Sequence, residues 1–159
     1  MSAEGLQVAK DFGQRLLAFG SQAEAEAYLF GQRDHRLRRL CELASASNDS
    51  IADFTPASLK NLESWYFALC DSDGFGQLAI SREELECCMA SYFCEVAVRN
   101  CSDAKWIVQE FAFEPGKYEI GIKRGLLHWM RSRFADLYNQ PNNKRRQKIY
   151  KSYEQLFAA

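Results

Sequence analysis

Histidine is scarce in this chain, with only His35 and His128 among 159 residues. Neither lies in a zinc-hydrolase pattern or beside a nucleophile elbow. A Walker loop and a glycine fingerprint for nucleotides are also missing, as are internal repeats and low-complexity tracts. No stretch approaches the roughly 18 uninterrupted apolar residues that read as a membrane span. The start Met1-Ser2-Ala3-Glu4-Gly5 has no basic region followed by an apolar run. No signal peptide or membrane contact is therefore expected, and a cytoplasmic location is.

No Cys-x-x-Cys pair occurs among the six cysteines Cys41, Cys70, Cys87, Cys88, Cys94 and Cys101. Without an export signal they are expected to remain thiols in a reducing compartment. On one helix Cys87, Cys94 and Cys101 would stand about 10 Å apart. That is too far to share a tetrahedral zinc, whose ligands lie within about 2.3 Å of the metal. Packing as small apolar residues is the expected role, and no metal or cofactor is anticipated.

What the chain does have is a charge balance that shifts along its length. The total is −1, but from Lys117 onward there are 10 Lys+Arg against 3 Asp+Glu, which leaves −8 before that point and +7 after it. Halves of opposite sign either attract each other within one fold or present a surface to a charged partner. With 47% apolar and 13% aromatic residues, one sizeable core can close, and residues 1–159 are read as a single globular domain.

Helical spacing of Leu6, Ala9, Phe12, Leu16 and Phe19 predicts a first helix over residues 5–19, ended by Gly20. Ser21-x-x-Glu24 is a capping-box pattern that opens a second helical stretch, with Gly31 a candidate break within it. Thr55-Pro56 starts a third helix. After it, residues 71–76 form a turn and residues 78–80 a short extended piece. Ser81-x-x-Glu84 starts a helix that runs to about residue 99. Residues 105–123 then read as a hairpin around Glu114-Pro115-Gly116-Lys117, which gains a third strand if Leu78 joins it. Residues 125–157 are read as two closing helices, over 126–138 and from about 144 to 157. The fold class is α+β: helical over residues 5–100, with an antiparallel hairpin and two C-terminal helices.

Three patterns suggest chemistry. Asp71-Ser72-Asp73-Gly74-Phe75-Gly76-Gln77-Leu78 resembles the start of an EF-hand loop. It has Phe75 at the fifth position and Arg82 at the twelfth, both ligand positions, so a glycine-rich turn is the preferred reading. Cys94-Glu95 could be cast as nucleophile and base, but adjacent helical residues point about 100° apart. Lys144, Arg145, Arg146, Lys148 and Lys151, interleaved with Tyr150 and Tyr153, could grip phosphates. The overall pI of 6.1 and the apolar stripe on the same helix instead favour a packed helix with a basic face.

The segments Asp53-Phe54-Thr55-Pro56-x-Ser58-Leu59-Lys60-x-Leu62-Glu63-x-Trp65-Tyr66-Phe67, Tyr92-Phe93-Cys94-Glu95-Val96, Lys105-Trp106-Ile107-Val108 and Pro141-Asn142-Asn143-Lys144-Arg145-Arg146 together resemble small uncharacterised bacterial α+β proteins. Some proteins of that shape are immunity partners of polymorphic toxins. The resemblance implies a cytoplasmic inhibitor that neutralises a cognate toxin by covering its active site, working by binding and not by catalysis. Charge complementarity would govern such an encounter. The candidate partner-binding residues are the acidic group Asp71, Asp73, Glu83, Glu84 and Glu86 and the basic group Lys144, Arg145, Arg146 and Lys148. A nucleic-acid-binding protein using the basic C-terminal helix and a small enzyme are the alternatives.

Overall fold

The structure is a computed structural model that describes residues 1–47, 52–134 and 147–158. The fold is α+β. Helices α1 (Ala3–Arg15), α2 (Gln22–Ser47), α3 (Ser58–Ser72) and α4 (Arg82–Asn100) precede strands β1 (Ala104–Glu110), β2 (Tyr118–Arg124) and β3 (Leu127–Met130). A 3-10 turn, Arg131–Phe134, follows, and helix α5 (Lys148–Phe157) closes the described chain.

The caps form where hydroxyls stand ahead of apolar runs. Ser81 Oγ accepts the Glu84 N–H at 3.0 Å, and Ser21 Oγ accepts that of Glu24 at 3.2 Å. The Glu24 carboxylate reaches back to the Gly20 N–H at 3.0 Å, so two free donors are satisfied at the start of α2. Gly31 does not break α2, which runs continuously through it. α1 stops at Arg15 and does not continue to residue 19, because the next residues are claimed by the hairpin. Lys117 Nζ donates to the Leu16 carbonyl at 2.8 Å, Tyr118 N–H to Leu17 and Phe19 N–H to the Gly116 carbonyl.

The sheet is antiparallel in the order β1-β2-β3. Two expectations are corrected here. The third strand is not at Leu78, where the N–H groups of Leu78 and Ile80 turn back onto the Phe75 carbonyl. It is Leu127–Met130, inside the stretch expected to be helical over 126–138; the remainder, 135–138, lies outside the described residues. Gly125, at φ +58, and Leu126 form a two-residue connection between paired Arg124 and Leu127. A glycine with positive φ at the first turn position matches the twist of a hairpin. Trp129 then pairs with Ile122, and its ring lies 4.7 Å from that of Phe93. Gly121 sits opposite Met130, where an added Cβ would come 2.4 Å from the Trp129 carbonyl oxygen.

The main core lies between α4 and its neighbours. Phe93 is fully buried and touches the rings of Trp129, Phe134, Tyr153 and Phe157, joining the sheet, the 3-10 turn and α5 through one side chain. α5 is held at its start by Glu63 of α3, a carboxylate only 4% exposed that accepts the Lys148 N–H at 3.1 Å. Burial raises the Glu63 pKa, and the backbone N–H groups of Ile149 and Lys148 oppose that rise.

Candidate functional site

Three separated segments of the sequence pattern meet beside α4. Phe54 has a left-handed backbone, φ +60, a conformation rare for a bulky residue. Its N–H donates to Tyr92 Oη at 3.0 Å, and its ring stacks on that of Tyr92 at 4.8 Å. Ser58 Oγ donates to the Thr55 carbonyl, so the 2.6 Å contact between Ser58 and Tyr92 is a bond that Tyr92 donates. The Arg99 guanidinium lies 3.7 Å from the Phe54 ring centroid and pairs with Glu95 at 2.9 Å. Glu95 also accepts the Trp106 indole N–H at 2.7 Å. These groups satisfy one another and fasten the 52–58 loop and β1 to α4.

That arrangement removes the Cys94-Glu95 pair from consideration as nucleophile and base. Glu95 is held by Arg99 and Trp106, and complete burial pushes the Cys94 thiol up, so it stays protonated. Cys88 is likewise pushed up to about 12 by burial. All six cysteines are free thiols. His128 is exposed on β3, and not on the helix expected over 126–138, with Nδ1 3.1 Å from Gln109 Oε1; His35 is exposed on α2.

The EF-hand-like segment folds as a helix end. Asp73 takes the left-handed conformation at φ +52, and the Gly74 N–H returns to the Leu69 carbonyl, as in a helix C-terminal cap. Arg82 bonds both Glu86 and Tyr66. Among the described residues no group of three or more His, Cys, Asp or Glu side chains could hold a metal ion.

The proposed acidic partner surface divides. Asp71, Asp73 and Glu83 are exposed. Glu84 turns to Arg36, bonding it at 3.1 and 3.4 Å, and Glu86 accepts from Tyr66 and Arg82. Of the proposed basic surface, Lys148 opens α5 half-buried; Lys144, Arg145 and Arg146 lie outside the described residues. Among the described residues one ion pair joins the acidic and basic parts of the chain, Arg124 with Asp103 at 3.0 Å.

Sequence reasoning did not find the cleft of about 430 Å³ enclosed by α2, α4, β2, the 3-10 turn and the segment that follows α1. Its apolar floor includes Leu29, Ala90, Ile120 and Phe134, and its charged lining is Arg15, Arg36, Arg131, Glu83, Glu86 and Glu119. Arg36 is only 8% exposed but well served, bonding Gln32 at 3.1 Å as well as Glu84. Arg131 is not. Its Nη1 is shielded from solvent with no hydrogen-bond partner among the described residues. Burial lowers the Arg131 pKa, and the neighbouring Arg36 lowers it further. Glu119 accepts one long bond, from Gln109 Nε2 at 3.3 Å, and burial raises its pKa. The cleft thus holds a cation with an unused donor. It is of the size that takes small ligands or the end of a larger one.

A family model described as the uncharacterised protein YwmA matches residues 18–157. The chain belongs to the YwmA family. It is similar to the uncharacterised protein YwmA of Bacillus subtilis (strain 168), with 27% identity over 146 residues that cover 91% of this chain and 92% of that protein. No solved structure matches it. The YwmA match includes Arg36, Arg131 and Glu119, whereas the wall formed by Arg15, Leu16 and Leu17 precedes it. Among the described residues no helix is long and apolar enough to cross a membrane.

Proposed function

We propose that this YwmA-family protein is a non-catalytic binding domain whose recognition centre is the arginine cleft, and that Arg131 receives an oxyanion of the ligand there. The supporting observation is the shielded, unpartnered Nη1 of Arg131. A buried donor left unpaired costs about 1–3 kcal/mol. A carboxylate or phosphate oxygen placed on it recovers that cost as binding energy, and charge-assisted bonds to guanidinium are among the stronger ones. Arg36, anchored by Glu84 and Gln32, contributes positive potential from a fixed position. The test is melting in the presence of acetate or inorganic phosphate. At least one anion is expected to raise the melting temperature of the wild type and leave that of Arg131→Met unmoved. An identical response of the two proteins refutes the reading.

The exposed carboxylates Asp71, Asp73 and Glu83 around the α3–α4 connection favour a second reading, a protein partner with a basic groove. An immunity protein covering a toxin active site would use them in this way. Co-expression with the product of the neighbouring reading frame is expected to give a stoichiometric complex that Asp73→Lys with Glu83→Lys disrupts. Failure to form that complex sinks this reading.

A further inference from the structure

We propose that the ligand of the arginine cleft is an apolar monocarboxylate, its carboxylate bonded to Arg131 and its hydrocarbon tail laid on the floor of Leu29, Ala90, Ile120 and Phe134. This rests on the oxyanion reading of Arg131 and names the ligand class.

Placement is the first support. Arg131 follows Trp129 by two residues, and the Trp129 ring packs on Phe93 of α4. The groups that act on the Arg131 charge are Arg36 of α2 and Cys87, Cys94 and Glu84 of α4. Arg131 is half-buried and lines the cleft, while its Nη1 is closed off from water. A ligand oxygen therefore meets Nη1 after a turn of the guanidinium, not through a bridging water.

The surrounding charges call for one negative charge and no more. Arg36 is neutralised by Glu84, and Glu86 by Arg82. Arg15 and Glu83 are exposed, where water screens them. Glu119 pairs in register with Gln109 and bonds its side chain. Its neighbours Tyr118 and Ile120 pack with Val108, Ala25 and Leu29, so the Glu119 carboxylate belongs to the opposite face of the sheet. That leaves Arg131, which makes no ion pair among the described residues. A monoanion neutralises it, whereas a dianion would leave an excess negative charge in a poorly solvated place.

The apolar lining supplies the tail. Leu29, Ala90, Ile120 and Phe134 are buried, and Leu17, in the wall beside them, is a large apolar side chain left 48% exposed. A hydrocarbon chain would cover this surface, which a bare inorganic anion would leave unused. At about 430 Å³ the cleft is near the lower end of small-ligand sites, roughly 300–1,000 Å³, which suits a short chain.

The experiment is calorimetric titration of the whole protein with acetate, butanoate, hexanoate, hexanamide and inorganic phosphate. Affinity is expected to rise about fourfold for each methylene buried, so hexanoate should exceed butanoate by roughly tenfold or more. Hexanamide, which has the same tail without the charge, is expected to bind at least about tenfold more weakly than hexanoate, and phosphate more weakly still. Arg131→Met is expected to bring hexanoate down to the level of hexanamide. Melting curves of the free variants establish that each is folded, and Arg131→Lys, which loses the planar fork, replaces Arg131→Met if that variant is not. Equal affinity for acetate and hexanoate, or tighter binding of phosphate, overturns the apolar tail while leaving the oxyanion site standing if binding still depends on Arg131. Hexanoate and hexanamide binding equally well, or no Arg131-dependent binding by any probe at millimolar concentration, overturns both.

Discussion

The two sides of α4 handle buried polar groups in opposite ways. Around Phe54, Tyr92, Glu95, Arg99 and Trp106 the donors and acceptors find one another within the chain, and the network joins a loop, a helix and a strand. In the cleft beyond Glu83, Cys87 and Ala90 on the same helix, Arg131 keeps a shielded donor with no partner among the described residues. The first arrangement adds to stability and offers a ligand little. The second lowers stability and holds bonding capacity in reserve. Side chains that look equally reactive in a sequence are separated by that test of saturation.

The contrast predicts mutations of opposite sign. The largest effect is expected from Glu95→Ala, which strips the Trp106 indole N–H and Arg99 of their acceptor and should cost about 2–3 kcal/mol in urea unfolding. Tyr92→Phe removes one hydroxyl that accepts from Phe54 and donates to Ser58, and a loss of about 1–2 kcal/mol is expected. Arg131→Met should go the other way, raising stability by about 1 kcal/mol without ligand, because it deletes an unsatisfied donor and retains an apolar stem. A destabilisation as large as that of Tyr92→Phe would mean that Arg131 belongs with the saturated network.

Glu63 is the intermediate case and gives the smallest effect. It is buried and accepts backbone N–H bonds, yet its pKa is raised, so the folded state holds this proton more firmly than the unfolded one. Its contribution to stability is complete below the unfolded carboxyl value, about 4.3, and is lost as pH rises through the higher folded value. Glu63→Gln keeps an acceptor oxygen for α5 and removes that proton. Subtracting its melting temperatures from those of the wild type over pH 4–7 should leave a slope in which the wild type loses ground as pH rises. A flat difference would show that the bonds from α5 fully offset the burial.

Much of the scaffold could be read from local signals. Ser21, Thr55 and Ser81 announce helix starts because a hydroxyl ahead of an apolar run has one favourable use, and Pro115-Gly116 marks a turn for the same local reason. β3 was hidden because Leu127, Met130 and Phe134 also fit a helical stripe; the Arg124-Gly125-Leu126 turn was the competing signal, and pairing with β2 decided the matter. The cleft was hidden for a different reason. Arg36 stands in sequence among Arg33, Arg38 and Arg39, and Arg131 is one cation of the basic half, with nothing local to link them, since their proximity is made by tertiary packing. Glu84 and Glu86 were placed in the acidic partner-binding group because their partners, Arg36 on α2 and Tyr66 on α3, belong to other helices. Two clues were local: Gln32 and Arg36 share a helix face, and Arg131 stands between Trp129-Met130 and Phe134, where an apolar residue would be ordinary.

Phe134 forms part of the cleft floor and also touches Phe93, whose ring lies 5.8 Å from it and 4.7 Å from that of Trp129. Occupancy of the cleft is therefore connected by two aromatic contacts to an indole. A ligand that presses on Phe134 should alter the emission of Trp129 and the near-ultraviolet circular dichroism of the cluster, whereas Trp106, held by Glu95 on the saturated side, should be much less affected. With Trp65 and Trp106 replaced by phenylalanine, the protein would carry its own optical reporter of binding.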